Sequence, residues 1–450
     1  MGRLFGTDGA RGIANTELSC ELAMNIGRAA AYVLTRELDH HPTILIGRDT
    51  RISGDMLQNA IVAGICSVGA NSVSLGVVPT PCVALLVKQY NADAGIVISA
   101  SHNPVEFNGI KIFNSQGFKL ADAIEDEIES YVFEKKSEIT LPTHGGIGKA
   151  GRKPDAKEDY INHIIGCVEG DLSGLRVVFD CANGAASRTA PELFTRLGVD
   201  AVFVGDKPDG VNINDGVGST HLDNVRRAVL ENGADIGIAF DGDADRCLAV
   251  DENGKEIDGD MIIAIFADYL KKHGRLAHDT AVVTVMTNLG FMDYCKGRGI
   301  NAVRTAVGDR YVLEEMLRSG YVLGGEQSGH VILYEFCTTG DGEMTAALLL
   351  QILKQSGKKA SELAGEIKRY PQVLINVRTT AEGKQCFKED EEMQGFIEAQ
   401  QQELFDTGRV LVRVSGTEPL IRIMVEGRDE AKINDIARLI ETKLKSRLPE

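Results

Sequence analysis

The sequence lacks an excess of positive charge. Its 450 residues contain 48 lysines and arginines against 65 aspartates and glutamates, which gives a formal net charge of −17. Nucleic-acid binding depends on neutralising phosphates with lysine and arginine, so a nucleic acid is not an expected partner. An anionic small molecule remains compatible with this charge, provided that basic side chains are concentrated at one site.

Three further absences bear on the compartment. Nine cysteines are scattered without a CxxC pair, which is typical of reduced thiols rather than of a disulfide framework. The opening residues, Met-Gly-Arg-Leu-Phe, lack the apolar core of a signal peptide, and no apolar run is long enough to span a bilayer. We therefore expect a soluble, cytoplasmic protein without a membrane segment.

What is present is the composition of a globular protein, with 43% hydrophobic and 25% charged residues. Short apolar runs alternate with helical patterns, which predicts an α/β fold with mixed or parallel sheets. A loop rich in glycine and proline over 141–154 and a weaker break near 369–371 indicate domain boundaries. We predict four domains, of which the last is the smallest, at 1–150, 151–255, 256–369 and 370–450.

The most specific motif is Asp241-Gly242-Asp243-Ala244-Asp245-Arg246, which we expect to lie between two strands. Its three carboxylates repel one another, and a hard divalent cation among them would offset that cost. The flanking strands and Arg246 at the sixth position argue against an EF-hand. Asp245 departs from the Asp-x-Asp-x-Thr/Val pattern of haloacid-dehalogenase-type phosphatases. A solvated acidic turn is the alternative.

A second motif, Ser99-Ala100-Ser101-His102-Asn103-Pro104, follows the predicted strand Gly95–Ile98. Ligands gather beyond strand ends in α/β sheets, so the Ser101 hydroxyl is a candidate phosphoryl carrier; a plain turn is the alternative. Nearby, Lys111 falls within an apolar strand pattern. A lysine there either protects an edge strand or, when partly buried, transfers protons.

Two glycine-rich loops contain residues that could bind a ligand or exchange protons. In Gly6–Gly12, three glycines allow a ligand to approach the backbone, and Arg11 offers a forked donor suited to phosphate. In Gly324–His330, Glu326 and Ser328 could bind sugar hydroxyls and His330 could exchange protons. A simple turn is the alternative for each loop.

A last motif, Arg413–Pro419 with Arg422 beyond it, has the groups that a phosphate needs. The hydroxyls of Ser415 and Thr417 and the backbone N–H groups around Gly416 lie between the two arginines in sequence. The alternative is an ordinary β-hairpin turn.

Together these motifs resemble the α-D-phosphohexomutase family, in the family's order and over nearly the whole chain from Gly6 to Glu426. Two further segments match the family, Gly47-Arg48-Asp49-Thr50-Arg51 and Ser415–Glu426. The resemblance implies four domains around a central cleft, three of them α/β with mixed sheets and the smaller C-terminal one α+β. Each domain is expected to contribute one loop.

The resemblance also implies the site residues. It implies a phosphoserine at Ser101 and one Mg²⁺ held by that phosphate with Asp241, Asp243 and Asp245. Lys111 and His330 match the family's candidate acid/base positions. The implied catalytic residues also include Arg11 and His102. The implied substrate contacts are Arg246, Gly308, Asp309, Arg310, Glu326, Ser328, Arg413, Ser415, Gly416, Thr417 and Arg422.

The implied reaction is an isomerisation, glucosamine 6-phosphate to glucosamine 1-phosphate, through a hexosamine or hexose 1,6-bisphosphate that also serves as activator. It would supply UDP-N-acetylglucosamine and cell-wall synthesis. A glucose- or mannose-phosphate mutase of the same fold, a metal-dependent sugar-phosphate phosphatase and a non-catalytic Ca²⁺-binding protein stay open, as does a homodimer. Three positions depart from the family pattern: Ala10 replaces a common Ile, Ala244 the usual Gly and Val414 a common Lys.

Overall fold

Strands and helices alternate along most of the chain, as the apolar pattern predicts. The computed structural model describes residues 4–6, 9–415 and 419–448. The chain divides into two compact units. The first unit comprises the residues up to Met286 together with Gly299–Glu366, and the second comprises Thr287–Arg298 and the residues from Ile367 onward. Within these described ranges, none of the helices has the length and apolar character that crossing a lipid bilayer requires.

The first part of the chain forms a seven-stranded mixed sheet. Its elements are β1 (Phe5–Gly6), β2 (Gly9–Ile13), α1 (Cys20–Thr35), β3 (Thr43–Arg48), α2 (Ser53–Ser67), β4 (Asn71–Val77), α3 (Thr80–Gln89), β5 (Ala94–Ile98), β6 (Phe107–Asn114), α4 (Asp122–Phe133) and β7 (Ala150–Arg152). The strand order is β1-β2-β6-β5-β3-β4-β7. The neighbouring strands β5, β3, β4 and β7 are parallel to one another, and the other neighbouring pairs are antiparallel.

Helix α1 and the strands of this sheet share one apolar core. The α1 helix begins after Ser19, whose hydroxyl accepts a hydrogen bond from Leu22 N and so caps the helix. Its buried residues, among them Ile26, share one apolar core with Ile44 of β3 and Ile96 of β5. Every residue of β5 is buried, as expected for a strand covered on both faces.

The next part forms a five-stranded mixed sheet. Its elements are α5 (Ala156–Cys167), β8 (Arg176–Asp180), α6 (Ala190–Arg196), β9 (Asp200–Val204), α7 (Asp223–Asn232), β10 (Ile236–Phe240), β11 (Cys247–Asp251) and β12 (Glu256–Ile257). The order is β12-β11-β10-β8-β9, with β8 parallel to its two neighbours. The fully buried β10 ends at Phe240, so the acidic motif begins at the carboxyl end of a central strand.

A third, four-stranded mixed sheet follows. The elements of this part are α8 (Gly259–Lys272), β13 (Thr280–Thr284), α9 (Leu289–Gly297), β14 (Asn301–Thr305), α10 (Asp309–Ser319), β15 (Leu323–Gly325), β16 (Val331–Leu333), α11 (Gly342–Ser356) and α12 (Ala360–Gly365). The strand order is β14-β13-β15-β16, and β15 and β16 form an antiparallel hairpin around residues 326–330. The α9 helix belongs to the second compact unit.

The C-terminal part is a three-stranded antiparallel sheet with helices. Its elements are β17 (Gln372–Arg378), α13 (Ala381–Glu389), α14 (Glu391–Leu404), β18 (Gly408–Val414), β19 (Leu420–Gly427) and α15 (Glu430–Arg447), and the strand order is β17-β19-β18. Three mixed α/β sheets followed by a small antiparallel sheet confirm the predicted fold class.

Candidate active site

Ser101 lies in a short loop directly after the buried strand β5. Its side chain is 1% exposed, and its φ of +52° is in the left-handed region, which costs a non-glycine residue about 1–2 kcal/mol. The Ser101 hydroxyl donates a hydrogen bond to Asp241 Oδ2 at 2.6 Å, and Oγ lies 3.2 Å from His102 Nδ1. The predicted phosphoryl carrier therefore touches the first carboxylate of the acidic motif.

Three aspartates form a buried cluster after β10. The carboxylates of Asp241, Asp243 and Asp245 offer ligand oxygens that lie within 4.8 Å of one another. Two oxygens of the cluster, Asp243 Oδ1 and Asp245 Oδ1, are buried and accept no hydrogen bond from the described residues. An all-oxygen donor set with acceptors left open suits a hard divalent cation such as Mg²⁺. Ala244 has a φ of +55°, which explains why glycine is usual at this turn.

Lys111 completes the cluster. The β6 strand lies between β2 and β5, so the edge-strand interpretation of Lys111 is wrong. Its side chain is 2% exposed, and Nζ lies 2.6 Å from Asp243 Oδ2 and 3.3 Å from Asp245 Oδ2. The Thr80 hydroxyl donates to the same Asp243 oxygen at 2.5 Å. One buried ammonium thus offsets part of the repulsion among three carboxylates.

The pKa values of Asp241 and Asp245 are shifted in opposite directions. Burial, together with repulsion from Asp245 and Asp243, holds the pKa of Asp241 well above its usual range. Burial also disfavours the charged form of Asp245, but attraction to Lys111 and His330 outweighs it and lowers the pKa of Asp245 well below its usual range. Burial and the neighbouring carboxylates thus disfavour the charged form of Asp241, and a cation bound at the cluster would offset that cost.

His102 lies beside the serine in a basic setting. Burial, followed by the charges of Arg246 and Arg11, lowers the pKa of His102 to about 4. The imidazole is consequently neutral near pH 7 and can accept a hydrogen bond from a hydroxyl. Arg11 lies in β2, opposite Gly109 of β6, and the backbone N–H of Arg246 is 3.2 Å from Asp241 Oδ1.

His330 lies between two carboxylates. Its Nδ1 is 3.7 Å from Asp245 Oδ2, and its Nε2 is 3.4 Å from Asp309 Oδ2. Burial disfavours the imidazolium, but the hydrogen bond with Asp245 and the charge of Asp309 outweigh that cost and raise the pKa of His330. The Nε2 atom also accepts a hydrogen bond from Gly340 N at 3.0 Å. The arrangement suits a group that exchanges protons close to the aspartate cluster.

The loop between β15 and β16 presents two candidate sugar contacts. Glu326 Oε1 accepts a hydrogen bond from Gly308 N at 3.1 Å, and burial raises the pKa of Glu326. Ser328 Oγ is buried, and no hydrogen-bond partner for it occurs among the described residues. The glutamate side chain therefore joins the loops at 308 and 326, and the serine hydroxyl is left for a ligand.

Asp309 and Arg310 both contact the first part of the chain. Asp309 Oδ2 forms an ion pair with Lys119 Nζ at 2.6 Å. Arg310 donates to Leu120 O at 2.7 Å and to Glu125 Oε2 at 3.0 Å, and it also pairs with Asp122. In this structure the Arg310 guanidinium is thus engaged by the start of α4 rather than by the aspartate cluster.

The predicted phosphate loop lies in the second compact unit. Arg413 of β18 pairs directly with Arg422 of β19, and Ser415 is buried at the end of β18. Lys384 Nζ, which the sequence analysis did not single out, donates to Ser415 O at 2.7 Å. Gly416 and Thr417 lie outside the described residues. Val414, on the opposite face of β18 from Arg413, packs against the core of this unit.

Sequence reasoning missed several residues that hold the site together. Thr80 supports Asp243, and Asp49, Arg51 and Asn214 contact the Ser101 loop. Asp49 and Arg51 belong to a segment that matches the family, but no role followed from the match. Asn214 lies in a long loop rich in glycine, asparagine and aspartate, where nothing in the sequence distinguishes it from its neighbours.

Comparisons with known proteins give one family over nearly the whole chain. Four family models match in order: Phosphoglucomutase/phosphomannomutase alpha/beta/alpha domain I over residues 2–139, domain II over 158–254, domain III over 258–370 and the C-terminal domain over 374–443. A phosphoglucosamine mutase of Acetivibrio thermocellus is 55% identical over 448 residues, which covers 99% of this chain and 100% of that protein.

Solved structures share the fold at lower identity. A phosphoglucomutase/phosphomannomutase family protein of Burkholderia thailandensis superposes with a TM-score of 0.83 at 24% identity, over 99% of this chain and 98% of that one. An N-acetylphosphoglucosamine mutase of Aspergillus fumigatus, solved with GlcNAc-6P and magnesium, gives a TM-score of 0.70 at 17% identity, over 100% of this chain and 96% of that one.

A serine hydroxyl in contact with a buried cluster of carboxylates that could hold a divalent cation fits the class of phosphoryl-transfer enzymes. The four consecutive domain matches and the full-length relative identify the particular family. The chain belongs to the phosphoglucomutase/phosphomannomutase family, the α-D-phosphohexomutases.

Proposed function

We propose that this chain is an isomerase that interconverts glucosamine 6-phosphate and glucosamine 1-phosphate by way of a phosphoserine at Ser101. The observation that carries the phosphoryl-transfer step is the 2.6 Å contact between Ser101 Oγ and Asp241 Oδ2 beside two more buried aspartates. The preference for an amino sugar is supported by the relative of that name, which is 55% identical over nearly the whole chain.

In the proposed first half-reaction, the bond between phosphorus and Ser101 Oγ breaks and a bond to a sugar hydroxyl oxygen forms. Asp241, Asp243 and Asp245 would hold the Mg²⁺, which neutralises charge on the transferred phosphoryl group. The sugar hydroxyl loses its proton in this step. Lys111 and His330 are the proposed acid/base groups: one takes the proton of the sugar hydroxyl, and a proton is returned to Ser101 Oγ when the phosphoryl group leaves it. The serine hydroxyl then donates to Asp241 as in this structure, and the neutral His102 lies beside it.

The product of that half-reaction is a sugar 1,6-bisphosphate, which must turn around. Its other phosphate then returns to Ser101, so one phosphoryl group enters the sugar and one leaves it. During each half-reaction the non-reacting phosphate needs its own binding site. We assign that role to Arg413, Ser415, Gly416, Thr417 and Arg422, and sugar recognition to Glu326, Ser328 and the 308–310 loop.

The proposal also covers the activation of the enzyme, its cellular location and its domain bounds. Added hexose 1,6-bisphosphate should activate it by phosphorylating Ser101. A cytoplasmic location and the supply of UDP-N-acetylglucosamine synthesis accord with a sugar phosphate as substrate. The four domains are proposed at 1–150, 151–255, 256–369 and 370–450.

The test is a side-by-side assay of glucosamine, glucose and mannose 6-phosphates with product analysis. We expect a 1-phosphate isomer, no release of inorganic phosphate, and the highest kcat/KM with glucosamine 6-phosphate. Higher kcat/KM with glucose or mannose 6-phosphate would assign a different member of the family. Stoichiometric phosphate release would indicate a phosphatase, and binding without turnover would indicate a non-catalytic protein.

A further inference from the structure

The long loop over 205–221 contributes a side chain to the Ser101 loop, although the proposed mechanism uses no residue of it. Asn214 Nδ2 lies 2.8 Å from the carbonyl oxygen of Ser101 and 3.0 Å from that of Asn103. Arg51 Nη2 lies 2.6 Å from the Asn103 oxygen and 3.4 Å from the Ser101 oxygen. Two side chains from separate segments therefore bridge the same two carbonyl groups.

We call this arrangement the carbonyl clamp: Arg51 and Asn214 on the carbonyls of Ser101 and Asn103. The clamp is buried, and Asp49 balances the charge of Arg51. Neither Arg51 nor Asp49 is exposed, and their side chains form an ion pair. Asp49 also accepts the Ser99 hydroxyl at 2.6 Å, and the Ser99 oxygen in turn accepts Ser101 N at 3.0 Å. Both the N–H and the carbonyl of Ser101 are consequently fixed by buried partners.

The backbone of Ser101 needs such support. A φ of +52° is unfavourable for serine, and an unsupported loop would relax toward negative φ and swing the hydroxyl away from Asp241. The acidic motif approaches the same carbonyl. A Cβ at Gly242 would lie 2.5 Å from Ser101 O and 3.0 Å from Asn214 Nδ2, so a glycine is required there. The carbonyl clamp therefore lies at the point where the Ser101 loop meets the acidic motif.

We infer that Asn214 is a positioning residue for phosphoryl transfer. Together with Arg51 it holds Ser101 in the left-handed conformation that directs Oγ to the aspartate cluster. Asn214 acts through the backbone of the Ser101 loop. The inference rests on the proposed function, since it assigns the phosphoryl group to Ser101.

The test compares two asparagines of the same loop. Asn214→Ala removes the clamp donor, whereas Asn212→Ala removes hydrogen bonds that stay inside the loop, to Lys207 O and Asp209 N. We expect Asn214→Ala to lower kcat by about ten- to a hundredfold, since small misplacements of reacting atoms have effects of this size. The KM for glucosamine 6-phosphate and the Mg²⁺ affinity should stay within about twofold, and Asn212→Ala should match the wild type.

A second variant separates hydrogen bonding from packing. Asn214→Asp keeps the shape of the side chain but has no donor when ionised, so it should be as impaired as Asn214→Ala. Amide hydrogen exchange over residues 99–104 should accelerate in both Asn214 variants and not in Asn212→Ala. If Asn214→Ala does not fold, Asn214→Ser, whose hydroxyl is too short to bridge both carbonyls, takes its place and should show the same fall in kcat.

Several results would overturn the inference. One is a kcat for Asn214→Ala no lower than that of Asn212→Ala. Another is full activity of Asn214→Asp, which would assign a packing role to the side chain. Failure of the proposed function is separate, because wild-type enzyme would then make no sugar 1-phosphate. In that case unchanged hydrogen exchange in the Asn214 variants would still refute the carbonyl clamp.

Discussion

Arg413 and Arg422 are direct partners in the antiparallel pairing of β18 with β19. Directly opposite residues of an antiparallel pair project from the same face of the sheet, so two positive charges are adjacent there. A phosphate bound at this face could accept charge-assisted hydrogen bonds from both guanidinium groups. The pairing supports the assignment of this face to a phosphate.

Replacing Arg413 should weaken the binding of the non-reacting phosphate. Loss of one charge-assisted hydrogen-bonding partner costs about 1.5–3 kcal/mol, or roughly ten- to a hundredfold in binding. We expect Arg413→Ala to raise the KM for sugar phosphate, to slow turnover and to release bisphosphate, so that added hexose 1,6-bisphosphate partly restores the rate. Steady-state kinetics check this, and Arg438→Ala on the exposed side of α15 is the control with the same change of charge. Unchanged KM and kcat in Arg413→Ala would indicate that the loop is an ordinary hairpin turn that does not bind phosphate.

Ser101 should carry the phosphoryl group. Intact-mass spectrometry of active protein should reveal a phosphorylated fraction that maps to Ser101. Ser101→Ala should lose that fraction and nearly all turnover, because the oxygen that accepts phosphorus is gone. Ser115→Ala, an exposed serine in the same part of the chain, should keep both. A fully active Ser101→Ala protein would rule out the phosphoserine mechanism.

The aspartate cluster should bind Mg²⁺ in preference to Zn²⁺, because every ligand is oxygen. Chelation with EDTA should abolish turnover, and added Mg²⁺ should restore it. Asp243→Asn should lower the Mg²⁺ affinity by about tenfold or more, since even indirect supports of a metal site have effects of that order. Isothermal titration calorimetry measures this, with the fully exposed Asp39→Asn as the control. Turnover that persists after thorough chelation would contradict the assignment.

Stability should depend on pH through Asp341, the buried N-cap of α11. Its Oδ1 accepts hydrogen bonds from Met344 N at 2.9 Å and from the Tyr160 hydroxyl at 2.8 Å. Burial raises the pKa of Asp341 from 3.8 to about 6. The folded protein therefore holds this proton more tightly than the unfolded chain does, and the resulting stability is lost as the pH rises from about 4 to above 6.

Asp341→Asn should remove that dependence while keeping a side chain that caps helices well. The free energy of unfolding of the variant, minus that of the wild type, should be larger at about pH 8 than at about pH 5, by on the order of 1–3 kcal/mol. Thermal unfolding followed by circular dichroism at the two pH values gives the comparison. A difference between variant and wild type that is the same at both pH values would show that Asp341 does not titrate in this range.

Much of the fold follows from local patterns. The buried residues of β5 and β10 are consecutive and apolar, and the helices between strands repeat apolar residues at the spacing of one helix face, so both are visible in the sequence. Candidate chemistry was visible for the same reason. Ser101 and Asp241 each follow a predicted strand, and in α/β sheets the ends of such strands are where ligands bind.

The partner of each polar side chain was not visible. Lys111 could be read as an edge-strand residue or as a proton-transfer group, and only the order of strands shows that it is interior and paired with Asp243, 132 residues away. Arg310 stays a predicted substrate contact, and nothing in its local sequence indicates the ion pair that it forms with Glu125 of α4. Such pairings arise when separate sheets pack, and no local pattern records them.

The sequence by itself indicated the alternation of strands and helices and the loops that are candidates for phosphate, sugar and metal binding, because burial and residue type act over a few neighbouring positions. Only the tertiary structure decided how those loops are held. Asn214 is 113 residues from Ser101, yet its amide reaches that residue's carbonyl, and the left-handed backbone of Ser101 depends on the contact. A hydrogen bond depends on distance and direction in space, and the packing of one sheet against another determines both.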